Sequence, residues 1–123
     1  LTAARHIARA DATMKKGLWE KKKLDFFEIY GKTLGVIGLG RIGSKVAERA
    51  QAFEMKIVAY DPYLKDSRYS MVSLDELLST SDYVTIHIPA TPETKNLLSK
   101  EQLTKMKEGA VLVTTARGGT VDE

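Results

Sequence analysis

The sequence predicts an α/β fold built around a doubly wound parallel sheet, and three observations support this class. Short apolar runs recur along the 123 residues, stretches with helical periodicity lie between them, and glycine-containing turns separate the two. Strands that alternate with helices pair in parallel through right-handed crossovers. The composition, 43% hydrophobic and 28% charged, is typical of a globular domain. No apolar run approaches the roughly 18 residues that a membrane span needs, so we expect no membrane partner.

Residues 1–30, called the entering segment below, are predicted to precede the sheet rather than to form part of it. Residues 2–17 are rich in alanine and other small or apolar residues, which favours a helix. Gly17 and a lysine-rich stretch end that helix, and residues 24–32 predict an irregular connector with Gly31 near its end. Because the sequence starts at Leu1 inside a helical pattern and stops just after a turn, we expect it to be truncated at both ends.

Positive charge is concentrated in this entering segment. The formal net charge is +3, and five lysines lie at positions 15, 16, 21, 22 and 23. Such a cluster could bind nucleic acid, but Trp19 is the only aromatic residue within it, and a lysine-rich linker is usually just solvated. We therefore expect no nucleic-acid partner. The absence of cysteine excludes a disulfide framework and a thiolate metal site, and it fits a cytoplasmic protein.

From Thr33 onward, the sequence alternates between strands and helices. Continuous apolar runs predict four buried strands. They cover residues 33–37, 56–60, 82–88 and 110–115. The helix after the first strand carries apolar residues that are spaced along one face. They are Ile42, Val46, Ala47, Ala50 and Phe53. Capping boxes that begin at Ser73 and Ser99 open two further helices, and Gly109 ends the second.

The turn after the first strand has the pattern Gly38-Leu39-Gly40-Arg41-Ile42-Gly43. The pattern is weak alone, but a strand before it and a helix after it are the context of a dinucleotide-binding turn. Gly38 permits the tight turn, Gly40 lets a pyrophosphate approach the backbone, and Gly43 lets the helix pack on the strand. The amide groups at the helix N-terminus attract phosphates, and Arg41 would face the pyrophosphate, with Ile42 beside it. The sequence thus predicts a Rossmann-type dinucleotide-binding domain over residues 31–123, unless the glycines serve the fold alone.

Asp61 stands at the end of the second strand, near the offset of roughly 20 residues from the turn at which a ribose-binding acid is expected. Its carboxylate would accept hydrogen bonds from the adenosine ribose and repel a 2′-phosphate, which favours NAD over NADP. We assign Asp61 and the following Pro62 to the cofactor site. The alternative is that Asp61 only forms a turn before Pro62.

Four motifs, taken in order, resemble those of the D-isomer-specific 2-hydroxyacid dehydrogenases, and the resemblance runs from about Arg5 to Glu123. The motifs are GKTLGVIGLGRIG at 31–43, YDPY at 60–63, HIPATPET at 87–94 and TARGG at 115–119. The resemblance implies the NAD-binding domain of an oxidoreductase that transfers a hydride between NAD and C2 of a D-2-hydroxy acid. It leaves the substrate open among 3-phosphoglycerate, hydroxypyruvate, glyoxylate and lactate.

The resemblance also implies roles for individual residues. Arg117 corresponds to the arginine that holds the substrate carboxylate, and a planar guanidinium can donate two parallel hydrogen bonds to such a group. The alternative for Arg117 is a surface arginine at a strand end. The other matched residues would pass or line the cofactor. They are His87, Pro89, Thr94, Thr115 and Ala116. The loop that holds Thr94 can also be a helix start, with Thr91 as its N-cap and Pro92 in the first position.

Two further groups of the family, a glutamate and a histidine that relay the proton, are not matched within the 123 residues. Histidine is the usual general base near neutral pH, but His87 matches the motif that passes the cofactor, and Glu123 does not match the glutamate motif. We therefore expect the chain to bind NAD and to turn over little or nothing by itself. The alternative is a non-catalytic NAD-sensing or interaction module on the same fold.

The entering segment, residues 1–30, resembles the dimer-forming segment of the family. Its apolar face would need a partner, so we expect a homodimer, although the helix could equally pack on its own domain. The chain departs from the family pattern at three places. Thr114 replaces a commoner asparagine, Phe26-Phe27 replaces a frequent glycine, and the stretch between Pro62 and Ser73 is short.

Overall fold

The computed structural model describes residues 1–64 and 66–122. Lys65, within the short stretch after Pro62, and Glu123, which we compared with the glutamate motif, lie outside the described residues. The chain divides into two compact units, Leu1–Tyr30 and Gly31–Glu123. In the described part, no helix is long and apolar enough to span a membrane.

The first unit has two short helices where the sequence predicts one. Helix α1 spans Thr2–Arg5 and helix α2 spans Ile7–Lys15. His6, between them, has a positive φ of 47°, which interrupts the helix. The predicted continuous helix over residues 2–17 is wrong here for a physical reason: the amide of Phe27 donates to the Ala4 carbonyl, which a continuous helix would use internally. A 3₁₀ turn follows at Lys21–Lys23.

The second unit is a parallel sheet with helices between its strands. The strands are β1 Thr33–Ile37, β2 Lys56–Tyr60, β3 Ser70–Met71, β4 Tyr83–Ile86 and β5 Val111–Thr114. The helices are α3 Arg41–Ala52, α4 Leu74–Thr80 and α5 Lys100–Thr104. All neighbouring strands pair in parallel in the order β3-β2-β1-β4-β5. The α/β class and the parallel sheet are confirmed; the two-residue strand β3, too short for any periodicity, was not predicted.

The strand order reverses direction beside β1. The chain moves outward from β1 through β2 to β3 and then crosses back to β4. Because such crossovers are right-handed, α3 and α4 lie on opposite faces of the sheet. Helix α4 packs on β1 and β2, and its Leu77 and Leu78 join Ile37, Val84 and Ile86 in the buried core. The reversal leaves a crevice at the carboxyl ends of β1 and β4, where open α/β sheets bind ligands.

The buried face of α3 agrees with the predicted one in part. Ala47 and Ala50 are buried as predicted and Val46 is half-buried, whereas Ile42 and Phe53 are 67% and 50% exposed. Gly43 is also buried. Small residues let the helix lie close to the sheet, and the larger side chains at its two ends turn away from the core.

The two predicted capping boxes have different outcomes. The Ser73 hydroxyl accepts the Glu76 amide at 3.2 Å and caps α4 as predicted. The Ser99 hydroxyl instead bonds the side chain of Gln102, so it does not cap the backbone of α5.

Candidate functional site

An open cleft of about 720 Å³ lies at the crevice between the ends of β1 and β4. It is bounded by the first turn of α3, the segment after β4 and the turn after β5. The lining residues are Arg41, Ile42, His87, Ile88, Pro89, Thr115, Ala116 and Arg117. All of them except Ile88 belong to the site that the sequence predicts. Ile88 is 5% exposed and was missed because an apolar residue at a strand end resembles core.

Two glycines of the turn after β1 are required by the fold. Gly38 has a φ of +92°, a backbone conformation that is strained for any residue with a side chain. A Cβ there would lie 2.7 Å from Cγ2 of Ile88. At Gly43, a Cβ would lie 1.8 Å from the Gly38 carbonyl oxygen. The chain can therefore bring α3 against β1 only with glycine at both positions.

Gly40 has no such requirement. Its backbone has a φ of −65°, which any residue adopts, and a Cβ there would meet no atom within 4 Å. Gly40 is the N-cap of α3, a position at which a serine or threonine side chain would serve the helix better. The open space in front of Gly40 lies at the helix N-terminus, where amide groups without intrahelical acceptors attract a phosphate. The predicted role of Gly40 in binding a pyrophosphate is compatible with this open space and stays a prediction.

The arginines fall into two groups. Of the six, Arg5, Arg9, Arg49 and Arg68 bond to carboxylates or to a carbonyl. Arg41 and Arg117, which line the cleft, have no ion pair or side-chain hydrogen bond among the described residues. Two guanidinium groups that line the same cleft can attract anions.

Asp61 lies directly after β2, beside the glycine turn. One carboxylate oxygen accepts the Leu39 amide at 2.8 Å, and the other accepts the amides of Tyr63 and Leu64 at 2.8 and 3.2 Å. Asp61 thus forms the local turn that we considered as its alternative role, and it also ties the end of β2 to the glycine turn. Pro62 is exposed within that turn. The ribose assignment stays a prediction.

The segment after β4 holds His87 and Thr94. His87 lines the cleft half-buried, and burial lowers the pKa of its imidazole below 6.5. The Thr94 side chain is 2% exposed, and its hydroxyl donates to the Pro89 carbonyl and accepts the Thr91 amide. Thr94 therefore stabilises the conformation of this loop. A substitution at Thr94 would affect cofactor binding through the loop and not through a direct contact. Residues 91–95 form hydrogen-bonded turns rather than the start of a helix.

Arg117 lies in a turn whose backbone is held by two hydrogen bonds. The Thr120 hydroxyl donates to the Arg117 carbonyl at 3.2 Å, and the backbone amide of Asn96 donates to the Gly119 carbonyl. Leu98 pairs in parallel with Val121, which fixes the chain just beyond the turn. Thr115 and Arg117 are exposed and Ala116 is half-buried.

The structure adds two residues that the sequence did not single out, Asn96 and Thr120. Asn96 has a φ of +52°, and its residue type, which tolerates that conformation, is the only signal that the sequence offered. A second hollow of about 440 Å³ lies beside the turn. It is lined by Ala90, Thr91, Pro92, Lys95, Gly118 and Gly119.

A family described as D-isomer specific 2-hydroxyacid dehydrogenase, NAD binding domain, matches residues 1–123. A hydroxypyruvate reductase from Thermotoga maritima is 50% identical over the whole chain, and a D-3-phosphoglycerate dehydrogenase from Methanocaldococcus jannaschii is 47% identical. The chain spans only 41% and 25% of the lengths of these two relatives.

A similar solved structure is an NAD-dependent formate dehydrogenase from Staphylococcus aureus in complex with NAD. It has a TM-score of 0.93 and 40% sequence identity, and the match covers 99% of this chain and 38% of that one. The Rossmann-type fold that the glycine turn predicted is therefore confirmed. The chain belongs to the D-isomer-specific 2-hydroxyacid dehydrogenase family, as its NAD-binding domain.

Proposed function

We propose that this chain binds NAD for an oxidoreductase that transfers a hydride between NAD and C2 of a D-2-hydroxy acid. The observation that carries the proposal is the pair of unpaired guanidinium groups, Arg41 and Arg117, in the cleft at the reversal of the strand order. A dinucleotide and a carboxylate substrate bring anionic groups to two places in such a cleft.

The cofactor is supported by the space in front of Gly40 and by the residues around it. The pyrophosphate would meet the first amides of α3 and the Arg41 guanidinium. Asp61 would accept the adenosine ribose, and Pro89, Thr115 and Ala116 would line the nicotinamide side of the cleft. Bound NAD supplies the hydride acceptor, and the residues of the chain only position it and exclude water from it.

Arg117 is our candidate for substrate binding. A guanidinium can hold a carboxylate through two parallel hydrogen bonds, which would orient C2 toward the nicotinamide ring. The backbone of the turn that carries Arg117 is held by hydrogen bonds from Thr120 and Asn96. This arrangement favours the enzyme over an NAD-sensing module, because a sensor needs no second guanidinium in the cleft.

The test compares the 123-residue chain with the complete natural protein. We expect both to bind NADH and only the complete protein to oxidise a D-2-hydroxy acid. In the complete protein, Arg117→Ala should lower kcat/KM by at least about a hundredfold and leave the NADH Kd within about twofold, because the lost bonds are charge-assisted. Arg117→Lys should recover little of the loss, since an ammonium cannot make the bidentate contact.

Arg49→Ala is the matched control, because Arg49 lies on α3, does not line the cleft, and among the described residues bonds only the Lys45 carbonyl. Unchanged turnover in Arg117→Ala would contradict the substrate role and favour the sensing module. Turnover by the 123-residue chain at a rate near that of the complete protein would contradict the proposal that the chain binds NAD without completing the reaction.

For the complete protein, we propose a class of substrate, a homodimer and a cytoplasmic location. Relatives named D-3-phosphoglycerate dehydrogenase and hydroxypyruvate reductase are 47% and 50% identical to the chain, so 3-phosphoglycerate and hydroxypyruvate are both candidate substrates. A homodimer is supported by the apolar side chains that the first unit exposes. They include Ile7, Met14, Leu18, Trp19, Phe26 and Phe27. A cytoplasmic location follows from the family resemblance and stays a prediction.

A further inference from the structure

Thr85 contacts the only histidine that lines the described cleft. Thr85 lies in β4, and His87 is the first residue after this strand. The backbone amide of His87 still donates to the Ile37 carbonyl of β1 at 2.7 Å, so the side chains of Thr85 and His87, two residues apart, lie on the same face. The Thr85 Oγ1 atom lies 2.9 Å from Nε2 of His87. Thr85 is 6% exposed, so its hydroxyl reaches little water.

The direction of this hydrogen bond follows from the hydrogen-bonding capacity of the two groups. Among the described residues, the Thr85 hydroxyl has no acceptor other than Nε2 of His87. If Nε2 carried the proton and donated it, the hydroxyl hydrogen would be left without an acceptor inside the protein, which is unfavourable. If Nε2 is unprotonated, the hydroxyl donates to it and its hydrogen is bonded. The geometry therefore favours an imidazole whose proton is on Nδ1.

Nδ1 is the ring atom that remains for a ligand. It has no hydrogen bond to the described residues, and it is not among the atoms that are both buried and unpartnered. His87 also lies against the glycine turn, because a Cβ on Gly43 would sit 3.4 Å from Cβ of His87. The ring is thus next to the place where the cofactor phosphates and the adjoining ribose would lie.

We propose that Thr85 is a positioning residue that holds His87 as the neutral Nδ1–H tautomer, so that Nδ1 donates a hydrogen bond to an oxygen of the bound dinucleotide. The tautomer is argued from the chain alone, whereas the ligand contact rests on the proposed function.

The charges around His87 favour the neutral ring. The charged groups that line the same cleft are Arg41 of α3 and Arg117 after β5, and two positive charges there do not favour a further cation. Burial lowers the pKa of His87. The ring therefore stays neutral near pH 7, and only its two tautomers compete.

The test is ¹⁵N NMR of the imidazole nitrogens in the labelled 123-residue chain at pH 7.5. The chain has two histidines, and His6→Gln removes the other set of signals. We expect a protonated Nδ1 and an unprotonated Nε2 for His87. Thr85→Val, which keeps the shape and removes the hydroxyl, should move the ring toward a mixture of tautomers, and Thr85→Ser should restore the wild-type pattern.

NADH titration of the same variants tests the ligand contact. Thr85→Val should raise the Kd severalfold, and Thr85→Ser should keep it within about twofold of wild type, because it keeps the donor to Nε2. A wild-type ring protonated on Nε2, or a Thr85→Val ring with an unchanged tautomer, would overturn the positioning role. Equal Kd values despite a shifted tautomer would overturn the ligand contact. A wild-type chain that binds no NADH would overturn the proposed function and leave the tautomer result standing.

Discussion

At the scale of single residues, Asp61 connects two turns through one carboxylate. Its three backbone donors come from Leu39 on the glycine turn and from Tyr63 and Leu64 beyond β2. A carboxylate offers about four lone-pair sites, so the oxygen that accepts Leu39 retains room for a ribose hydroxyl. The position of Asp61 could be predicted from the spacing along the sequence. Its bond to Leu39 could not, because that contact depends on how β1 and β2 are aligned.

We expect Asp61→Ala to weaken NADH binding by about tenfold, the loss of one charge-assisted hydrogen bond. It should also narrow the preference for NADH over NADPH, since the negative charge near the 2′-position is removed. Nicotinamide fluorescence gives both Kd values. Asp75→Ala is the control, because Asp75 is an exposed acid on α4 that pairs with Lys105. If the NADH and NADPH affinities of Asp61→Ala equal those of the wild type, the ribose assignment is wrong.

At the scale of elements, the sequence prediction succeeded where the apolar run was continuous and its ends were marked. Strands β1 and β2 have the predicted bounds because each is a continuous apolar run with polar or turn residues at its ends. Strand β4 is shorter than the predicted 82–88. Ile86 is its last paired residue, and the His87 amide makes one more bond to the Ile37 carbonyl of β1. The break at His6 could not be predicted, because it depends on a contact with Phe27, far along the chain.

Asp82 links three elements at the other end of the sheet. Its carboxylate accepts the Thr33 amide at the start of β1 and pairs with Lys107, which follows α5. Burial by itself raises the pKa of Asp82, but the hydrogen bonds from Lys107 and Thr33 outweigh it, so the pKa lies below its usual 3.8. Because the folded-state pKa is the lower one, this contribution to stability is present above pH 3.8 and is lost as the pH falls further.

Asp82→Asn should therefore lower the free energy of unfolding by about 1 kcal/mol at pH 7, a value that is reduced for the partial exposure of the pair. The difference from wild type should shrink as the pH falls below 3.8. Urea unfolding at several pH values measures this. Asp75→Asn removes a more exposed aspartate–lysine pair and should leave the midpoint nearly unchanged. If the free energies of unfolding of Asp82→Asn and wild type differ by the same amount at all pH values, the charge of Asp82 is not the source of the stabilisation.

At the scale of the whole molecule, the place of the site follows from the topology. A reversal of strand order creates the crevice, and the sequence already brings the glycine turn, the segment after β4 and the Arg117 turn to it. Two properties of the site could not be predicted from the sequence, because they depend on contacts between distant residues. One is that Arg41 and Arg117 are the unpaired arginines of the described chain, and the other is that Gly40 faces open space while Gly43 does not.

The most direct test of the account is NADH binding by Gly40→Ser and Gly43→Ala. A serine at Gly40 suits the N-cap of α3 and has room, so the melting temperature should not fall, but its side chain would occupy the phosphate position and raise the NADH Kd by about tenfold or more. In Gly43→Ala the melting temperature itself should fall by at least about 5 °C, because the new Cβ meets the Gly38 carbonyl. A Gly40→Ser chain that binds NADH as tightly as the wild type would contradict the account.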